Sequence, residues 1–283
     1  MALFDGPARA VEQHAHHAVQ EASPWVQSLA RLGYAAKGVV YVIIGALAAQ
    51  AAFGGRQVEG HEGALGTILE QPFGRVLLVI VAVGLAGFVL WRFVQAALNP
   101  EHKGDGAKGL IVRIGLLMSA VTYAAVTMEA VRMIRGSGGG GEGNGAQHWT
   151  ARLMEQPFGR IAVGLVGAGI AAYGLYEIYK AFTSDLGKRL DLASAAVATR
   201  RRVVAVGRAG TAARGVVFGI IGWLVIQAAL QYDPAKAQGL EAALGTLRQA
   251  AYGPYLLLAV ALGLIAYGLF QLVKARYRVI RPA

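Results

Sequence analysis

Residues 76–98 read VLLVIVAVGLAGFVLWRFVQAAL, a run with a single charged side chain, Arg92. A helix of about 20 apolar residues crosses the roughly 30 Å hydrocarbon layer of a bilayer. Five further stretches have the same character: Tyr34–Phe53, Leu110–Met133, Ile161–Phe182, Ala212–Leu230 and Pro254–Val273. They lack the strict alternation of apolar and polar residues that marks the strands of a membrane barrel. The sequence therefore predicts an all-α membrane protein with six transmembrane helices.

The composition agrees with a chain embedded in lipid. Hydrophobic residues make up 55% of the sequence and charged residues 15%, whereas soluble domains carry roughly 25% charged residues. The chain has no cysteine, which excludes a disulfide framework and a cysteine nucleophile. The sequence also has no nucleophile elbow, no zinc-protease motif and no phosphate loop. We therefore expect no enzymatic activity, no cofactor and no metal site.

The sequence repeats itself three times. Residues 31–38 match residues 208–215, and the element EQPFGR occurs both at 70–75 and at 155–160. The middle copy opens at Arg113 with the same Arg-x-Gly start. Each copy contains two predicted helices, so all three copies insert in the same direction, as parallel repeats about an axis along the membrane normal. The pattern predicts three two-helix repeats in a pseudo-threefold arrangement.

These motifs also carry a family resemblance. The opening at Arg31–Tyr41, its relatives at Arg113 and Arg208, and the QPFG elements together resemble the domain-of-unknown-function 1206 family of bacterial membrane proteins. The resemblance spans nearly all of residues 30–277. It implies a six-helix fold of three repeats, and it implies no activity and no functional residues.

Charge asymmetry predicts the orientation of the chain. Of the 27 Lys and Arg residues, 19 lie on the side of the two termini, and cytoplasmic loops retain positive charge during insertion. We therefore expect both termini in the cytoplasm and the protein in a bacterial inner membrane. The predicted divisions are a cytoplasmic amphipathic segment at 1–29, a first repeat at 30–98, a second repeat at 99–182, a basic cytoplasmic linker at 183–206, a third repeat at 207–277 and a cytoplasmic tail at 278–283.

The same asymmetry suggests partners. Because the acidic residues divide evenly between the two sides, the whole formal charge of +11 falls on the cytoplasmic face. Each Lys or Arg near an anionic membrane surface contributes about 1 kcal/mol of attraction. We expect the lipid bilayer, and anionic lipids in particular, to be partners, and a protein partner or a second copy of the chain stays open. A nucleic acid is not expected, because no recognition helix or aromatic platform accompanies the charge.

Polar residues within the apolar stretches are candidates for function, since a charge near the bilayer centre costs at least about 2.5–3.5 kcal/mol. The repeat places Arg92, Glu177 and Gln271 at equivalent positions near the cytoplasmic ends of the second helices. If this polar ring lines a cavity, it would form a charged constriction. Between packed helices, Arg92 and Glu177 would instead pair and hold the bundle together.

A second polar level is predicted near the outer ends of the helices. Gln50 and Gln227 occupy matched positions there, and Arg132 is their counterpart in the middle copy. Glu129 lies three residues before Arg132 on the same helix face, so these two side chains can satisfy each other.

Five basic residues are expected to face lipid or a partner. Lys37 and Arg214 lie within a turn or two of the cytoplasmic surface, so that their long side chains could reach the headgroups. Arg200, Arg201 and Arg202 form a continuous basic run before the fifth helix.

Small residues predict where helices pack closely. Gly164 and Gly167 fall in the fourth predicted helix, and Gly215 and Gly219 in the fifth. Small residues let helix backbones approach one another where lipid supplies no hydrophobic drive for association.

Two functions remain open from the sequence. In the first, three two-helix units surround an axis and form a small channel or carrier for an ion or solute, with Arg92, Glu177 and Gln271 as its constriction. In the second, the protein is a non-transporting scaffold that binds anionic lipid or a partner protein through its basic cytoplasmic face. The first requires a path along the axis, whereas the second requires a dry core and an intact arginine run.

Overall fold

The computed structural model describes residues 23–54, 58–98, 107–136, 142–184, 186–187, 190 and 197–277. The predictions for residues 1–22 and 278–283, and for most of the linker before residue 197, lie outside the described residues. The helices are α1 Ser23–Phe53, α2 His61–Leu69, α3 Gly74–Leu98, α4 Ala107–Ile134, α5 Glu142–Met154, α6 Gly159–Thr183, α7 Val197–Gln231, α8 Leu240–Gln249 and α9 Gly253–Tyr277.

Six of these helices are long and apolar enough to cross a membrane: α1, α3, α4, α6, α7 and α9. The predicted all-α fold with six membrane helices is therefore confirmed. Helix α7 begins earlier than the apolar stretch indicated and has 35 residues, or about 52 Å at 1.5 Å per residue. Because this exceeds the thickness of the hydrocarbon layer, part of α7 extends beyond it.

The long helices pack mainly between successive repeats. The second helix of each repeat lies against the first helix of the next, in the pairs α3–α4 and α6–α7, and α9 closes onto α1. Helices α1 and α3, and helices α7 and α9, also pack together. Within the described residues, α4 and α6 are not among the closely packed pairs. The three repeats are therefore not packed alike, and the pseudo-threefold arrangement stays a prediction.

Glycines allow two of these interfaces to form at matched places. A Cβ on Gly215 of α7 would lie 2.7 Å from the carbonyl oxygen of Gly174 of α6. A Cβ on Gly38 of α1 would lie 2.8 Å from the carbonyl oxygen of Gly268 of α9. Since these positions correspond in the repeat, the α6–α7 and α9–α1 interfaces use the same backbone-to-backbone contact.

The four glycines singled out from the sequence differ in their surroundings. Gly215 makes the contact just described, and a Cβ on Gly167 would lie 2.9 Å from Ile226 of α7. A Cβ on Gly219 would meet no atom within 4 Å, and one on Gly164 would have ordinary contact with Ala229 at 3.7 Å. Gly164 and Gly219 thus have room for a side chain, although the backbone of Gly219 closely approaches Gly174 of α6.

Short helix α2 runs back into the bundle. The ring of its first residue, His61, lies 5.8 Å from the ring of Tyr41. Tyr41 is twelve residues before the end of α1, a distance of about 18 Å along the helix. Val58 and Leu65 are buried in the same core as α1 and α3. Helix α2 is therefore re-entrant. It begins inside the bundle and ends at the edge where α1 ends and α3 begins, called here the loop end; the opposite edge is the terminal end.

Helix α8 begins beside α2. A Cβ on Gly60, just before α2, would lie 3.4 Å from the backbone nitrogen of Glu241 in the first turn of α8. Ala243 and Leu244 of α8 are fully buried in the same core. The equivalent short helices of the first and third repeats thus bring their N-termini together inside the bundle. The sequence did not predict this, because the polar residues flanking these helices resemble an external loop.

Candidate functional site

Lys37 is buried in the bundle rather than at its surface. Its side chain is only 1% exposed, and its ammonium nitrogen lies 4.4 Å from the ring centroid of Tyr123, 4.8 Å from Phe88, 5.3 Å from Tyr267 and 5.9 Å from Tyr41. No hydrogen bond or ion pair to Lys37 occurs among the described residues. These four rings, called here the aromatic cage, stabilise the positive charge through their electron-rich faces.

The cage is assembled from the repeats. Each first helix carries an aromatic residue at one matched position, and each second helix carries another. On the first helices these are Tyr41, Tyr123 and Phe218, and on the second helices Phe88, Tyr173 and Tyr267. The cage rings pack edge to face, with Phe88 5.0 Å from Tyr123 and Tyr41 4.9 Å from Tyr267. The hydroxyl groups of Tyr41 and Tyr123 are 3.2 Å apart and hydrogen bonded.

Arg214 occupies the position in the third repeat that Lys37 occupies in the first. It is 4% exposed, and its Nη1 donates to Glu177 Oε2 at 2.9 Å and to the Tyr173 hydroxyl at 3.4 Å. Its guanidinium carbon lies 4.6 Å from the ring of Phe218 and 5.2 Å from that of Tyr267. Within the part of the chain that the structure describes, Arg214 therefore has a carboxylate and aromatic rings as partners, whereas Lys37 has only rings.

The two buried cations belong to one charge cluster, defined here as Lys37, Arg92, Glu177, Arg214 and Lys274. Arg92 and Arg214 each lie over a ring of the aromatic cage, Arg92 4.7 Å from Phe88 and Arg214 5.2 Å from Tyr267, and Lys274 is close enough to Lys37 and Glu177 for its charge to act on both. Because the cluster has four basic side chains and one carboxylate, it carries excess positive charge.

Glu177 connects the charge cluster to the terminal end. Lys180 donates to Glu177 Oε1 at 3.4 Å, and its side chain is 38% exposed. The single carboxylate of the cluster is thus shared between the buried guanidinium of Arg214 and a lysine near the surface.

The polar ring predicted from the sequence does not form as proposed. Glu177 pairs with Arg214 and Lys180, whereas Arg92 donates to Gln95 at 3.0 Å on its own helix. Gln271 is buried and has no hydrogen bond to the other two among the described residues. The predicted pair of Arg92 and Glu177 is therefore wrong, because the close packing of α6 on α7 makes Arg214 the partner of Glu177.

The prediction that Lys37 and Arg214 reach the lipid headgroups is also wrong. Both side chains point into the bundle, where aromatic rings replace water as their partners. The signal that could have found this arrangement is an aromatic residue four positions later on the same helix, Tyr41 after Lys37 and Phe218 after Arg214. Residues four apart share a helix face.

The remaining predicted residues lie apart from the charge cluster. Glu129 and Arg132 form an ion pair at 3.5 Å, in which the Arg132 side chain is 58% exposed. Gln50 is exposed and Gln227 half-buried, and within the described residues neither is hydrogen bonded to that pair. Residues 200–202 are exposed near the start of α7.

Comparison with known proteins places the chain in a family. The family model described as Domain of Unknown Function (DUF1206) matches three times, at residues 32–99, 114–184 and 209–278. An uncharacterised protein of Bacillus subtilis (strain 168), YxxB, is 35% identical over 263 residues, which cover 92% of this chain and 94% of that protein. No solved structure matches. The three predicted repeats are thereby confirmed, and the chain belongs to the DUF1206 family.

Proposed function

We propose that this protein moves small anions across the bacterial inner membrane, as a carrier or a gated channel whose central site is the charge cluster. The observation that carries the proposal is the buried ammonium of Lys37, which has no carboxylate partner among the described residues. Burying a charge in a membrane is expensive, and charges retained there mark substrate and ion pathways.

Aromatic rings suit such a site better than a carboxylate would. A carboxylate beside Lys37 would cancel its charge, whereas the cage stabilises the ammonium and leaves the net charge positive. In a medium of low dielectric constant, that charge acts strongly on a nearby anion. Arg214 lies at the ring of Tyr267 as well, 5.2 Å from its centroid, but its charge is paired with Glu177, so Lys37 is the position at which an anion would be held.

The packing of the centre favours a mechanism with a conformational step. Tyr34, Phe88 and Tyr123 are fully buried and fill the space around Lys37. An anion can reach the ammonium only if these side chains or their helices rearrange, as happens in carriers and gated channels. Helices α4 and α6 are not among the closely packed pairs of the described residues, so a rearrangement between them would break few contacts.

The orientation follows from the charge asymmetry of the sequence. With both termini in the cytoplasm, the terminal end faces inward and the loop end faces outward. Lys180 and Lys274 then lie on the cytoplasmic side of Lys37.

Flux through proteoliposomes tests the proposal. Purified protein is reconstituted, and uptake of chloride, nitrate, acetate and phosphate is compared with uptake of potassium. We expect flux of one or more anions above that of empty liposomes, a loss of about tenfold or more in Lys37→Met, and partial retention in Lys37→Arg. Arg132→Gln, which removes an exposed cation, is the matched control and should conduct like the wild type.

Two results would overturn the proposal. One is the absence of anion flux from protein whose helical content and monodispersity show that it is folded. The other is undiminished flux in Lys37→Met, which would show that the buried charge is not part of the path.

A scaffold is the second candidate, and the exposed arginines at 200–202 on α7 favour it. They lie on a helix longer than a bilayer is thick, where anionic headgroups or an acidic partner can bind them. Native mass spectrometry of the protein with its co-purified lipids tests this reading. Replacement of all three arginines by glutamine should remove bound anionic lipid, and unchanged lipid binding would exclude this surface as the site.

A further inference from the structure

Helices α6 and α9 share one sequence motif but differ in where it carries negative charge. Residues 172–181 of α6 read AYGLYEIYKA, and residues 266–275 of α9 read AYGLFQLVKA. The motif has Glu177 on α6 and Gln271 on α9, followed in both copies by a lysine three residues later. The third repeat therefore has a neutral amide at the position where the second repeat has a carboxylate.

The two helices also pack in the same register against the first helix of the next repeat. A Cβ on Gly222 of α7 would lie 2.4 Å from the backbone nitrogen of Ala171 of α6. A Cβ on Gly45 of α1 would lie 2.9 Å from the backbone nitrogen of Ile265 of α9. Both pairs occupy equivalent positions in the repeat. The α9–α1 interface is therefore a second copy of the α6–α7 interface.

The buried cations of these two interfaces have matched aromatic surroundings. Each cation lies over one ring of its own helix and one ring of the neighbouring second helix. These rings are Phe218 and Tyr173 for Arg214, and the equivalent Tyr41 and Tyr267 for Lys37. The match predicts that the amide of Gln271 faces the ammonium of Lys37, as the carboxylate of Glu177 faces the guanidinium of Arg214.

The two interfaces differ in how their polar groups are satisfied. Glu177 accepts hydrogen bonds from Arg214 and Lys180. Lys37 and Gln271 are each only 1% exposed, and within the described residues the ammonium of Lys37 has no hydrogen bond and the amide oxygen of Gln271 has no partner. Buried polar groups without a partner cost free energy. Two of them at one interface indicate that a ligand supplies the missing bonds.

We infer that Lys37 and Gln271 bind the transported anion and that this anion is a small monocarboxylate. With glutamate at position 271 the protein would supply the carboxylate itself, and glutamine leaves that place to the substrate. The two oxygens of the substrate accept bonds from the ammonium of Lys37 and from the amide nitrogen of Gln271. The transport of this ligand rests on the proposed function, whereas its binding follows from the two interfaces. Because aromatic rings fill the space around Lys37, the ligand has a short chain.

Gln271→Glu tests the site, because it turns the α9–α1 interface into a full copy of the α6–α7 interface. Binding of acetate to the purified protein in micelles is measured by saturation-transfer difference NMR. We expect the affinity to fall by about tenfold or more, since a tethered carboxylate competes at high effective concentration. The variant should resist unfolding by sodium dodecyl sulfate at least as well as the wild type, because the new charge is paired. Gln50→Glu adds the same charge at an exposed position and should bind acetate normally.

Gln271→Leu removes the amide and keeps a similar volume. The amide oxygen has no hydrogen bond to lose, so this variant should be as stable as the wild type or more stable. Its affinity for acetate should fall by about tenfold, the equivalent of one lost hydrogen bond to a charged ligand. A purely structural glutamine would give the opposite pattern, with lower stability and unchanged binding.

Several outcomes would overturn the inference. They are the absence of acetate binding by the wild type, undiminished binding in either variant at position 271, and destabilisation by Gln271→Glu, which would show that the new carboxylate is buried unpaired. Flux measurements separate the inference from the proposed function. If anion flux depends on Lys37 but is unchanged in Gln271→Leu, the proposed function stands and the carboxylate site is wrong. If acetate binds through both residues in a protein without flux, the site stands and the transport proposal fails.

Discussion

Replacement of Glu177 by leucine should destabilise the protein strongly. Leucine has a similar volume, so the change removes the carboxylate without opening a large cavity. Arg214 is then left with a buried charge and no anion to pair with, since its bond to Glu177 is 2.9 Å long and both side chains are nearly inaccessible. Removing one partner of a buried ion pair typically costs about 3–5 kcal/mol. Lys180 contributes little to this cost, because its side chain is partly exposed and can be hydrated.

The size of the effect makes it measurable. A loss of 3–5 kcal/mol lowers the folding equilibrium constant by about two to three and a half orders of magnitude, at roughly 1.4 kcal/mol per tenfold. Unfolding by sodium dodecyl sulfate in mixed micelles, followed by circular dichroism, reports this quantity. The double variant Glu177→Leu with Arg214→Met should recover most of the loss, because replacing both members of a buried pair by apolar residues is often neutral.

Arg132→Gln is the control for Glu177→Leu. This change breaks the ion pair between Arg132 and Glu129, which has the same i,i+3 spacing as the pair of Lys180 and Glu177. Because the Arg132 side chain is mostly exposed, the expected loss of unfolding free energy is about 0–1 kcal/mol. Should Glu177→Leu cost no more than this control, or should the double variant be as unstable as the single one, the buried pair would not stabilise the bundle as argued.

Three further changes follow from the packing. Gly174→Ala should destabilise the α6–α7 interface by about 1–3 kcal/mol, because its Cβ would lie 2.6 Å from backbone atoms of α7. Gly169→Ala is the control: its Cβ meets no atom within 4 Å, so this change should be neutral or stabilising in the same assay. Tyr123→Phe should cost about 1–3 kcal/mol by leaving the Tyr41 hydroxyl without its bond, while the double change to Phe should be nearly neutral. Replacing the arginines at 200–202 by glutamine should reduce co-purified anionic lipid and leave the unfolding free energy within about 0.5 kcal/mol of the wild type, since exposed sites matter little for stability.

The sequence was sufficient for the membrane helices and the repeats because both depend on short-range patterns. An apolar stretch such as residues 76–98 has few alternatives to a transmembrane helix. The repeated EQPFGR element marks the same turn in two copies. In the structure Phe73 and Phe158 hold that turn in the left-handed conformation, with φ of 61° and 64°. Tyr252 does the same in the third repeat, with φ of 59°.

The candidate site could not be predicted because its contacts join distant parts of the chain. Lys37 lies close enough to the end of its apolar stretch to suggest a surface position, and a single sequence does not show which way α1 is rotated. Its four rings come from α1, α3, α4 and α9. The re-entrant path of α2 was equally hidden, since His61 follows a polar segment and is buried only through tertiary packing, against Tyr41 of α1 among others.

The divergence between the copies argues that the charge cluster has a function beyond packing. Positions that hold the helices together are alike in two interfaces, with Gly38 and Gly215 making the same contact, and the aromatic positions are occupied in all three repeats. The charged positions differ, because Lys37 and Arg214 correspond to Ser119 in the middle copy. A cage built only for stability could hold an apolar side chain at lower cost. Buried cations are instead retained at two of three equivalent positions, and only one of them, Arg214, is paired with a carboxylate, an asymmetry that supports the proposed anion path.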